Sequence, residues 1–204
     1  MKRIIIICIS IFILCQNCFA GLFLVNFYIR DISREQIIKY LKDQKINGFL
    51  IEQNQHNGFV LCEAKSEAQE PNSQIHFAQK ISKQAKCTVL YNFILDSDVY
   101  VAYCFDKGTE IFEYNSRPGY FEGTDEKPYY KSLNLFCNKF KISQVKLKMI
   151  LDNDYGYAED GLADLAKLIN APMSLAYSSY SFKDEVLQEC AKTNQHFYEI
   201  DSTN

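Results

Sequence analysis

The order of apolar segments along residues 22–114 constrains this chain more than any other feature. Leu22–Arg30 is dense in Phe, Leu, Val, Tyr and Ile and reads as a strand. Ser33-Arg34-Glu35-Gln36 has the S-x-x-Q form of a capping box, in which two backbone donors are satisfied reciprocally. It predicts a helix with Ile37, Ile38 and Leu41 on one face, closed by Asn47-Gly48. Phe49–Gln53 and Phe59–Glu63 flank a loop ending His56-Asn57-Gly58, a hairpin pattern. Pro71-Asn72-Ser73 opens a second helix, with Phe77, Ala78, Ile81 and Ala85 on its apolar stripe. Thr88–Leu95 is almost continuously apolar, which predicts a central strand covered on both faces. The order β-α-β-β-α-β is the ferredoxin-like plan. Two further strands, Val99–Phe105 and Thr109–Tyr114, follow the turns Asp96-Ser97-Asp98 and Asp106-Lys107-Gly108, extending the core by a β-meander that Arg117-Pro118-Gly119 ends.

From Lys131 the spacing becomes helical. Leu133, Phe136 and Cys137 mark a short helix, and Ile142–Leu151 reads as a helix despite the strand-like alternation Val145 to Met149. Asp160–Asn170 reads as a helix stopped by Ala171-Pro172, and Ser181 is placed to cap a last helix through Lys192. The fold class expected is therefore α+β, with a helical C-terminal third. The division is a leader over residues 1–20, a sheet domain over 21–122 and a helical region over 123–204, packed on or beside the sheet.

The leader is read from Met1-Lys2-Arg3, the apolar run Ile4 to Leu14 and the small residues Cys18 and Ala20 before Gly21. These are the n-region, h-region and cleavage site of a signal peptide. The alternative is an uncleaved anchor, but a spanning helix needs about 20 apolar residues, whereas the run, broken only by Ser10, reaches Leu14. The residues before Cys15 and Cys18 are not the small ones that precede a lipidated cysteine. Export to a periplasmic or extracellular compartment is the expectation, with membrane contact only through the leader.

Removing Lys2 and Arg3 leaves 20 basic against 25 acidic residues, an acidic balance that argues against nucleic-acid binding. The cluster Lys139, Lys141, Lys146 and Lys148 reads as a solvated face. Beyond the leader the cysteines are Cys62, Cys87, Cys104, Cys137 and Cys190, an odd set without C-x-x-C spacing. Cys62, Cys104 and Cys190 lie in apolar patterns, so mostly free, buried thiols are expected.

The run Asp96-Ser97-Asp98-Val99-Tyr100, then Lys107-Gly108, then Glu113 to Phe121 resembles a loosely defined group of uncharacterised bacterial α+β proteins. These carry an acidic turn, a glycine turn and a Y-N-S-x-P-x-Y-F-like end. Leu168-Ile169-Asn170-Ala171-Pro172 also fits the group. The resemblance implies a fold and transfers no activity.

Four residues are singled out as a binding site. Asp96 and Asp98 form a D-x-D pair able to share a hard cation, although the apolar strands on both sides favour a hairpin turn in which Asp and Ser satisfy the backbone locally. Arg117 and Tyr120 stand on a rigid lip, Asn115–Phe121, where a guanidinium is suited to clamp a carboxylate and a ring to stack. The competing reading is a structured exit from the sheet, with Tyr120 and Phe121 tucked under the helices. Asp152-Asn153-Asp154-Tyr155-Gly156 fails the EF-hand pattern, since Tyr157 stands at the glycine position and Ala163 at the bidentate glutamate. It reads as a polar turn. His56, His76 and His196 show no metal spacing. The order permits Cys62 and His56 to approach across the hairpin, but each reads more simply as a core thiol and a loop imidazole. No P-loop, G-x-G-x-x-G or G-x-S-x-G occurs. No cofactor, metal or catalytic residue is assigned.

Three functions remain open: a non-enzymatic module binding a protein or small ligand, an envelope hydrolase or transferase using acidic or thiol groups, and a structural envelope protein. Whether Asp96, Asp98 and Arg117 face one cavity discriminates among them.

Overall fold

The computed structural model describes residues 21–53, 58–193 and 195–201; the leader and His56 lie outside them. Strand β1 (Leu24–Arg30) leads into helix α1 (Arg34–Asp43). The capping box forms: the Ser33 hydroxyl accepts from Gln36 N at 3.3 Å, and the Gln36 side chain accepts from Ser33 N at 3.0 Å. β2 (Gly48–Gln53) and β3 (Phe59–Glu63) pair as an antiparallel hairpin. Helix α2 (Pro71–Ala85) starts with proline at its first turn and ends where Lys86 turns left-handed. β4 (Thr88–Leu95), β5 (Val99–Asp106) and β6 (Thr109–Asn115) make the meander. Lys107 and Gly108 both have positive φ, 51° and 87°, the geometry that lets a two-residue turn follow the twist of its strands.

These strands belong to one eight-stranded antiparallel sheet, ordered β7-β6-β5-β4-β1-β3-β2-β8. Its two outer members come from the region read as wholly helical. β7 (Tyr129–Lys131) covers β6, the last strand of the meander, and β8 (Gln195–Ile200) covers β2. A three-residue strand is too short for a period-2 pattern to register. β8 carries Gln195, His196 and Glu199, as a half-exposed edge strand does. It is held by Phe197 stacked on Phe49 at 5.0 Å and by the Tyr198 hydroxyl donating to Glu52 at 2.9 Å.

Helices cover both faces. α1 and α2 pack Ile37, Leu41, Ala78 and Ile81 on Phe27, Leu61, Val89 and Tyr91. The opposite face, with Leu90, Ile94, Cys104 and Phe112, receives α3 (Leu133–Phe140), α4 (Gln144–Leu151), α5 (Ala158–Leu168) and α6 (Lys183–Thr193). Phe136 of α3 lies 4.4 Å from Phe112. Ser181 lies within a 3₁₀ turn, Tyr180–Phe182, ahead of α6. In α4 only Leu147 and Leu151 are buried while Val145 and Met149 are exposed, which explains its strand-like alternation.

Lys139 is not part of a solvated face. Its ammonium lies 2.8 Å from Asp106 and 3.0 Å from Asp31, tying α3 to the ends of β1 and β5. All five described cysteines are free and buried.

Candidate functional site

The Asp96–Asp98 turn sends its two carboxylates to different places. Asp96 and Ser97 have φ of 56° and 57°, and Asp98 N donates to Leu95 O at 3.0 Å, closing a tight hairpin between β4 and β5. Asp96 accepts from Gly21 N at 2.8 Å. Asp98 turns the other way and accepts from Arg117 and from the Tyr120 hydroxyl, each at 3.4 Å. The pair does not converge on one point. Among the described residues, no group of three or more His, Cys, Asp or Glu is arranged to hold a metal ion.

The lip after β6 is pinned before it turns. Ser116 N donates to Tyr100 O, and the Ser116 hydroxyl accepts from Tyr100 N, both at 2.9 Å. Arg117 N donates to the Asn115 side chain at 3.0 Å, and Thr124 N to Gly119 O at 3.0 Å, so residues 115–124 form a closed loop. Tyr120 is half-buried, whereas Phe121 is 80% exposed and tucks under nothing. Each ring follows the turn: Thr124 returning to Gly119 points the tip of the loop, and Phe121 with it, outward.

Asp98, Arg117 and Tyr120 form one wall of a cleft of about 680 Å³. Asp152, Asp154 and Tyr155, from the segment read as a plain polar turn, line it as well. The buried Tyr100 and Tyr114 form its floor, and the exposed Asp125, Glu126 and Lys127 complete its lining. Asp96 does not line it. Burial pushes the Tyr100 and Tyr114 hydroxyls well above their ordinary value. Partial desolvation and the Asp98 carboxylate raise Tyr120 as well, and desolvation with the Asp164 hydrogen bond pushes Tyr155 up to about 12. At neutral pH the four phenols therefore remain protonated. Arg117 is already engaged by Asp98, both about half exposed, so a free clamp for a carboxylate is not what the wall presents.

Beneath the floor runs a buried polar chain. The Tyr100 hydroxyl donates to Asn92 Oδ1 at 2.8 Å, and Asn92 Nδ2 donates to Asn26 Oδ1 at 3.1 Å. Asn26 Nδ2 donates to Leu175 O and Ser178 O at 2.7 and 2.8 Å. It ties β5, β4 and β1 to the segment between α5 and α6. The readable trace is an asparagine in the middle of each of two apolar strands.

The five described thiols are buried, and burial disfavours the thiolate that a nucleophile needs. Desolvation pushes Cys62 and Cys104 well above their ordinary value and Cys87 to about 12; Cys137 and Cys190 also rise. His76 Nδ1 lies 2.6 Å from Asn72 O and the His196 ring neighbours Tyr198, while His56, the partner expected for Cys62, lies outside the described residues.

Comparison with protein-family models, curated proteins and solved structures finds no match. Among the described residues, no helix is long and apolar enough to cross a membrane.

Proposed function

We propose that the chain is an exported, non-enzymatic binding module whose cleft takes a small organic cation, an amine-bearing ligand rather than a carboxylate. The carrying observation is the charge and chemistry of the cleft lining: Asp98, Asp125, Glu126, Asp152 and Asp154 face only Arg117 and Lys127, around four tyrosines. Carboxylates accept hydrogen bonds from an ammonium, and tyrosine faces attract a cation within about 6 Å. The volume suits a small molecule. Export rests on the sequence of residues 1–20, and free buried thiols are compatible with it, because a chain of this length has a core large enough to dispense with staples. The central strand order β4-β1-β3-β2, with α1 and α2 on one face, supports a ferredoxin-like reading of residues 24–95.

Nuclear magnetic resonance titration tests the site. Spermidine is the probe and citrate the anionic control. The expected result is saturable shifts at the amides of 98, 117, 120 and 152–155 with spermidine only. Shifts scattered over all acidic surfaces, or citrate acting at the same amides, overturn the reading.

A further inference from the structure

Gly21 and Leu22 are held by the Asp96–Ser97 turn more closely than a passing segment requires. Gly21 N donates to Asp96 Oδ1 at 2.8 Å, Leu22 N donates to the Ser97 hydroxyl at 2.7 Å, and Ser97 N donates to Leu22 O at 3.0 Å. Ser97 Oγ in turn lies 3.2 Å from Glu159 Oε1, while Glu159 Oε2 is buried without a hydrogen-bond partner. Approach at residue 21 is so close that a Cβ there would lie 2.2 Å from the Asp96 carbonyl oxygen. Only glycine fits.

From this geometry we infer that the turn is a receptor for the amino terminus created when the leader is removed: the Gly21 ammonium seats on the Asp96 carboxylate. The inference rests on the export reading. In the processing step, water adds across the Ala20–Gly21 peptide bond. The hydroxyl goes to the Ala20 carbonyl carbon and leaves with the leader as a carboxylate. The amide nitrogen keeps Gly21, gains hydrogen from the water and takes up a proton at neutral pH. A neutral N–H facing Asp96 becomes a charged donor, and charge-assisted bonds of this kind are roughly twice as strong as neutral ones. Glu159, one hydrogen bond further on, adds a second carboxylate to the negative side of the contact.

The clamp reaches the cleft. Ser97 O accepts from Ala158 N at 2.7 Å, fixing the start of α5, and Ala158 itself lines the cleft. The same turn carries Asp98, which orients Arg117 and Tyr120. Leader removal thus strengthens the contact that sets two parts of the binding site, and processing and ligand binding become linked.

The experiment uses the full chain, produced with its own leader in a bacterium and purified from the envelope fraction. The product is analysed by N-terminal sequencing and by its rate of labelling with 2-pyridinecarboxaldehyde, a reagent selective for α-amines. The expected product begins at Gly21 and labels slowly when native. In urea, or in Asp96→Asn, labelling rises by about tenfold or more, the occupancy lost with a charge-assisted hydrogen bond. Asparagine tolerates the left-handed backbone at residue 96, and the native-to-urea ratio of the wild type needs no variant. A product beginning at Met1 or elsewhere overturns both export from this site and the clamp. A product beginning at Gly21 that labels equally fast native, denatured and as Asp96→Asn overturns the clamp and leaves export standing.

Discussion

Asn92 is the residue on which the cleft floor depends most directly. Its side chain accepts from Tyr100 and donates to Asn26, and all three are buried. Asn92→Ala orphans groups on both neighbours, at a cost of about 1–3 kcal/mol for each. Urea unfolding should show the loss, and Asn92→Asp, which keeps the acceptor, should not restore it because it buries a charge. Asn26 and Asn92 were visible in the sequence as polar interruptions of apolar strands, but their pairing depends on the β1–β4 register. Asp98–Arg117 was less accessible still, since nothing local to either residue shows that two turns of the meander meet. A second prediction concerns acid. Burial opposes the Asp31 charge, yet the Thr88 hydroxyl, Lys139 and Arg30 together hold its carboxyl below the ordinary 3.8. A depressed folded-state value stabilises the protein above the unfolded value and is lost as pH falls through the folded one. Lys139→Met should therefore reduce stability at neutral pH, by less than about 1 kcal/mol for a water-screened pair. The difference from wild type should shrink below about pH 4, as read by melting across pH.

Among the elements, those with strong local chemistry were legible. The capping box defined α1, Pro71 opened α2, and the two left-handed turns marked the meander. β7 and β8 were not legible, because an edge strand is half solvated and owes its existence to its neighbour rather than to its own pattern. β8 depends on Phe197, whose ring stacks on Phe49. Phe197→Ala should lower stability by about 1–2 kcal/mol, below the cost of truncating a fully buried phenylalanine. The same substitution should speed hydrogen exchange selectively in 48–53 and 195–200. Uniform faster exchange across the sheet would mean that β8 is not a separable edge.

For the whole molecule, the helical layer over the Leu90 face builds the cleft. Sheet turns and the α4–α5 turn both line it, so neither half of the chain contains the site alone. The sequence order of the lining, with Asp98 and Asp154 far apart, hid this from pattern reading, as did the failure of the 152–163 segment as a calcium loop. A cleft selecting cations by charge should weaken with ionic strength, since partly exposed carboxylates are screened over about 8–10 Å at physiological salt. The decisive measurement is calorimetric titration of spermidine into the processed protein and into Asp98→Asn/Asp152→Asn/Asp154→Asn, whose fold is checked by its melting profile. One saturable site is expected in the wild type, with affinity lower by about tenfold or more in the triple variant, 1.4 kcal/mol or above. Equal affinity in a folded triple variant, or no saturable binding to the wild type, would contradict the cation-binding reading.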